Sequence, residues 1–127
     1  MGTAAATSGF GDLVIVRGDT VTGREAYPHL ARRVLAYNDK LMIVEHAMSR
    51  GSVFPAHSHP EEQLAYLVSG RIRVQCADHA FEATAGDSFV VRGGIQHQVT
   101  ALEDSVALDV FTPCREDFIA WAREPAP

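Results

Sequence analysis

The chain has 127 residues, 46% of them hydrophobic, and a formal net charge of -5. That length suits one domain with its own core, and the acidic balance argues against nucleic-acid or anionic-membrane binding, both of which select basic patches. No apolar run approaches the ~20 residues needed to cross a bilayer, and two cysteines, Cys76 and Cys114, form neither a C-x-x-C pair nor a disulfide framework, so a reducing cytoplasm is the expected setting.

Residues 1–11 are small and polar, with neither a basic region nor an apolar core. They read as a disordered leader rather than a signal peptide, which leaves 12–127 as the folded domain. Strands are predicted over 33–37 and 41–48, separated by the turn pair Asn38-Asp39. A strand over 63–68 turns at Ser69-Gly70 into 71–76, where charged and apolar residues alternate as on a strand with one wet face. Strands over 81–84, 88–91, 96–101 and 105–111 follow, with Gly70 and Gly86 supplying positive φ at hairpin turns. Residues 116–123 read as a helix ended by Pro125, with Trp121 packed onto the strands. The pattern predicts an all-β jelly-roll barrel with a short C-terminal helix. His29, His46 and His79 fall in no pattern; His46 lies on a strand between Glu45 and Ala47 and is not assigned a role.

His57 and His59 stand at i and i+2, so on an extended strand they share a face and could share one metal ion. Neutral imidazole is the commonest ligand for divalent transition metals, and the amide oxygen of Gln63 could complete a partial sphere. A glutamate there would cancel one unit of the metal's charge, whereas an amide leaves it a stronger Lewis acid. The plain alternative for Gln63 is a strand glutamine bonded to backbone. Glu62 points to the opposite strand face and reads as a solvated charge.

These residues sit in two longer blocks. Gly51, His57, His59, Gln63 and Gly70 fit G-x5-H-x-H-x3-4-E-x6-G with glutamine in the acid's place; Gly86, Gly94 and His97 fit G-x5-P-x-G-x2-H-x3-N with Arg92 and Ala101 as departures. The blocks resemble the two motifs of the cupin family. The resemblance implies a single cupin jelly-roll barrel with His57, His59, Gln63 and His97 holding one divalent transition metal, for which Zn, Ni, Mn and Fe are all acceptable.

Asp109 and Phe111 are two apart, alternating with Leu108 and Val110. Facing the lumen, Asp109 would be a carboxylate near a metal and a candidate general acid or base; on the other face it would be a surface charge. The spacing leaves both readings open. Asp109, Phe111, Pro113 and Arg115 together match D-x-F-x-P-x-R, and the tail resembles the small single-domain cupins of pectin and alginate degradation, the KdgF type. That likeness implies an enzyme that opens 4,5-unsaturated uronate rings to the linear keto form. Asp109 and Arg115, with Phe111 between them in the pattern, would act on a small carboxylate-bearing substrate, Arg115 gripping its carboxylate with two parallel hydrogen bonds. Other metal-dependent cupin chemistry (a dioxygenase or a polyketide cyclase) and a non-catalytic metal or small-molecule binder are the alternatives. A homodimer is expected, because strand edges of a small barrel are usually covered.

Overall fold

Period-two alternation decides which residues face inward on each long strand. The computed structural model describes residues 7–10 and 12–125. Along the chain these form β1 (Thr7–Phe10), β2 (Leu13–Val16), β3 (Arg24–Tyr27), β4 (Leu30–Tyr37), β5 (Met42–Met48), β6 (Val53–His57) and β7 (Glu62–Ser69). Then come β8 (Arg71–Cys76), β9 (His79–Thr84), β10 (Ser88–Val91), β11 (His97–Ala101), β12 (Ser105–Thr112) and the helix α1 (Glu116–Arg123). A six-stranded antiparallel sheet runs β10-β7-β12-β5-β4-β3, and a four-stranded one runs β6-β11-β8-β9. Leu30, Val34, Met42, Val44 and Leu67 of the first sheet share one core with Phe54, Ile72, Val74 and Ala101 of the second. This is the expected jelly roll, with its core between two facing sheets.

On β5 the buried positions are Met42, Val44, His46 and Met48; on β12 they are Ser105, Ala107, Asp109 and Phe111; on β7 they are Gln63, Ala65 and Leu67. Polar side chains thus enter the core in phase with apolar ones. The register brings them together. Arg32 pairs directly with His46, Ala107 pairs with His46, and Phe111 pairs with Gln63. Asp109 is therefore a diagonal neighbour of both His46 and Gln63 on the inward face, within reach of side-chain hydrogen bonds.

α1 begins with Glu116 and Asp117 and ends with Arg123, matching the helix dipole. It buries Phe118, Ile119 and Ala122, while Arg24 lies over the Trp121 ring at 4.2 Å. Gly70 has φ +88, and a Cβ there would overlap Asp104 and Ser105, so the β7–β8 turn admits only glycine without rearrangement.

Four strands were not expected from the sequence: β1, β2, β3 and β6. Of the leader expected over residues 1–11, residues 1–6 and 11 lie outside the described residues, but Thr7–Phe10 pair with Leu13–Val16 as a two-stranded ladder. The apolar run Leu13-Val14-Ile15-Val16 forms one strand of that ladder. No helix among the described residues is long and apolar enough to cross a membrane.

Candidate metal centre

The histidines are assembled from two strand ends and a loop. His57 closes β6 and His97 opens β11, and the two are register partners. His59 lies beyond β6, in the loop before β7, and not on an extended strand as its spacing suggested. Its position comes from a second loop. Gly94 N–H donates to the His59 carbonyl at 2.8 Å, and Gly93 N–H donates to Glu62 Oε2 at 2.8 Å. A Cβ on Gly93 would overlap the Pro60 carbonyl, so the two loops meet backbone to backbone. Glu62 is exposed as expected, yet its charge helps close this contact.

Each ring is fixed by a local hydrogen bond. Nδ1 of His57 lies 2.8 Å from the Pro55 carbonyl, Nδ1 of His59 lies 3.0 Å from that of Glu61, and Nδ1 of His97 lies 2.9 Å from that of Ile95. Carbonyls only accept, so all three Nδ1 atoms carry the proton and each neutral ring presents Nε2 as a lone pair. The ligand atoms of His57, His59 and His97 fall within 4.8 Å of one another, so the triad could hold one metal ion. Nε2 of His97 is buried without a hydrogen-bond partner among the described residues, as a group reserved for a ligand would be. Burial holds the His57 imidazolium down to about 4, against the hydrogen bond to Pro55, and lowers His97 likewise. Neutral rings are the metal-binding form.

Gln63 Oε1 lies 3.1 Å from His59 Nε2, and Gln63 Nε2 donates to Asp109 Oδ1 at 2.8 Å. A carboxylate can only accept here, which assigns the amide nitrogen to Asp109 and the oxygen to the histidines. Gln63 Oε1 and His59 Nε2 are then two acceptors in contact, and a cation between them satisfies both. The residues fit a divalent metal on this ground. The ligand set is neutral, and the anionic partner stands one layer back at Asp109.

Asp109 faces inward, which decides the question its spacing left open. Its Oδ2 lies 2.8 Å from His46 Nδ1, and His46 Nε2 lies 2.9 Å from Arg32 Nε. All four members of this chain are buried. Burial is the main cause that lowers His46, opposed by its bond to Asp109. Desolvation lowers Arg32 to about 10, which leaves it cationic at neutral pH.

Arg115 caps α1 and is 6% exposed, with its guanidinium 3.9 Å from the Phe118 ring centre and 5.2 Å from that of Phe111. Its Nε and Nη2 bond the two oxygens of Asp117 at 3.0 and 2.8 Å. The two-pronged edge expected for a ligand carboxylate is thus engaged within the chain, and this contact lowers Asp117. Nη1 is left buried without a partner among the described residues. Phe111 is fully buried and meets His59 edge-on at 5.5 Å, so it shapes the floor. His46, His57, Gln63, His97, Asp109 and Arg115 line one cavity of about 30 Å³. That is room for an ion and a water or two.

Three site residues were not anticipated. His46 and Arg32 carried a signal, since both stand in the inward phase of otherwise apolar alternations. Glu61 carried none. Its Oε1 is buried 3.7 Å from His59 Nδ1 and 3.8 Å from Arg115 Nε, between the two halves of the site.

A jelly roll with three converging imidazoles at one end defines a cupin, and the Cupin domain matches residues 44–111, more than half of the chain. The chain belongs to the cupin family. Among characterised relatives, the pectin degradation protein KdgF of Dickeya dadantii (strain 3937) is 29% identical over 92 residues, 71% of this chain and 84% of that protein. The structure of KdgF from Halomonas sp. is 30% identical, with a TM-score of 0.77, covering 82% of this chain and 98% of that one. An RmlC-like cupin from Shewanella frigidimarina NCIMB 400 is 28% identical, with a TM-score of 0.79 over 88% of this chain and 97% of its own.

Proposed function

We propose that this protein is a metal-dependent enzyme that opens the ring of a 4,5-unsaturated uronate to its linear keto form. The observation that carries the reading is Asp109, a buried carboxylate sharing one cavity with His57, His97 and Arg115. Likeness to two proteins called KdgF, one of them a pectin degradation protein, supports the sugar class.

The reaction is an isomerisation and needs no redox partner. A proton leaves the anomeric hydroxyl, the C1 carbonyl forms, and the bond from C1 to the ring oxygen breaks. Its electron pair makes an enolate of the former ring oxygen, and C4 then takes a proton to leave the ketone at C5. Asp109 accepts the hydroxyl proton and supplies the one for carbon; each of its oxygens keeps a second lone pair beyond the bonds to His46 and Gln63. Arg115 holds the substrate carboxylate through Nη1, with Asp117 steadying the other edge. Phe111 walls the site. A divalent metal on His57, His59, His97 and Gln63 would supply a Lewis acid for the charge developing on oxygen, and Zn, Ni, Mn and Fe all suit such nitrogen and oxygen donors.

The test follows loss of the enol-ether absorbance when unsaturated galacturonate or an alginate-derived uronate meets protein loaded with each metal. Metal-dependent opening faster than buffer is expected. No acceleration with any of the four metals removes the reading, and oxygen uptake with iron would favour an oxygenase. We also retain a homodimer: Leu64, Tyr66 and Val68 on β7 and Val90 on β10 leave an exposed apolar face that a second copy would cover.

A further inference from the structure

Arg32 and His46 are buried behind Asp109, and the proposed reaction uses neither. We propose that they are positioning residues that hold the Asp109 carboxylate where it takes the Gln63 amide N–H and so keep the amide oxygen turned toward the three histidines. This rests on the metal-centre part of the reading above and not on the sugar. The argument starts from a donor that cannot be reversed. A guanidinium has five N–H groups and no acceptor, so Arg32 Nε must donate across the 2.9 Å to His46 Nε2. His46 Nε2 is then the acceptor, and the ring proton stands on Nδ1, 2.8 Å from Asp109 Oδ2.

With Oδ2 held by His46, Asp109 presents Oδ1 to Gln63 Nε2 at 2.8 Å. An amide turned the other way would set its oxygen against that carboxylate. The oxygen therefore points to His59 Nε2, 3.1 Å away. Two further features tie the start of the chain in place. The Arg32 guanidinium stacks on Phe118 at 3.8 Å, and the His46 ring meets Phe54 edge-on at 5.3 Å. Without the His46 donor the carboxylate loses one of its two anchors, and its hold on the Gln63 amide nitrogen slackens.

The test measures nickel(II) affinity alone, by competition with a chromogenic chelator, alongside the melting temperature of each variant. His46→Asn keeps an N–H at the place of Nδ1. His46→Gln puts its amide at the place of Nε2 and offers Asp109 nothing, and His46→Phe keeps only the shape. The Gln and Phe variants should bind nickel roughly 10-fold more weakly than the parent, with Asn within about 2-fold, the scale of losing an outer-layer partner. Parent-like nickel binding in Gln and Phe overturns the proposal, and so does an Asn variant as weak as those two. If the Phe variant does not fold, the Asn–Gln pair decides; failure of all three to fold makes His46 a folding residue and overturns it equally. A parent that takes up no nickel removes the metal centre and this inference together. A parent that binds nickel but opens no uronate removes only the sugar reading.

Discussion

His57 and His97 share one cavity with His46, Gln63 and Asp109, but the histidine triad and the Asp109 network are held by contacts of different range. Each histidine fixes its ring on a carbonyl two residues away, at Pro55, Glu61 or Ile95. The bonds of the network span 14, 63 and 46 residues, from Arg32 to His46, His46 to Asp109 and Asp109 to Gln63. The local half needs two loops. The remote half needs β4, β5, β12 and β7 in one register, and a slip of a single residue would turn its members outward. Hydrogen bonds to charged groups are worth ~1.5–3 kcal/mol against ~0.5–1.5 kcal/mol for neutral ones. The remote half is therefore the more costly to break. In the proposed centre the histidines would determine where a metal sits, and the network would hold Gln63 with its amide oxygen toward them.

The largest expected effect comes from the joint between the halves. Asp109→Asn should lower kcat by roughly 10²–10⁴-fold, the size of general acid–base assistance. It should also weaken metal binding, because asparagine has one oxygen and cannot accept from both His46 and Gln63. Steady-state kinetics with metal titration checks both, and an Asn variant that loses rate with unchanged metal affinity would mean that the halves are uncoupled. Next comes Arg115→Lys. An ammonium cannot hold both oxygens of Asp117 as a fork and serve a ligand as well, so the substrate concentration required should rise roughly 10-fold, the value of a bond to a charged group, with kcat little changed. Asp117→Asn, at a side chain 63% exposed, should do less. An Asp117 effect larger than that of Arg115 would place the substrate's grip elsewhere.

The smallest effect concerns pH. His46 faces Arg32 from β4, Asp109 from β12 and Arg115 at the start of α1, and its proton affinity is lowered chiefly by burial. Below the unfolded-state value near 6.5 the unfolded chain takes a proton that the folded one refuses, so stability falls as pH drops below that point and is level above it. Melting of metal-free protein between pH 5 and 8 should show this fall, reduced in His46→Phe. Equal slopes in the two proteins would mean that His46 takes its proton as readily in the fold as in the unfolded chain.

The same contrast of range explains what could be read in advance. β8 and β10 lie where alternation, Gly70 and Gly86 put them; the His57–His59 pair could be read from its spacing, whereas His97 joined it only through the second motif. β6 escaped notice because Pro55 breaks the strand pattern, and the ladder with β11 shifts register around it. β3, with Arg24-Glu25-Ala26-Tyr27, has no alternation to find. Arg32 and His46 were in phase with buried neighbours, but their purpose depends on which strands lie side by side, and pairing over 63 residues leaves no mark in a single sequence. The Asp117 grip on Arg115 depends on where α1 starts, which the motif alone does not specify.

The most direct test of the central claim is a crystal structure of the protein loaded with zinc, with the metal located by anomalous scattering. The account predicts one ion with Nε2 of His57, His59 and His97 and Oε1 of Gln63 at about 2.0–2.2 Å, every Nδ1 still on its backbone carbonyl and Gln63 Nε2 still on Asp109. An ion bound through Nδ1, or Gln63 turned so that its oxygen faces Asp109, would contradict it.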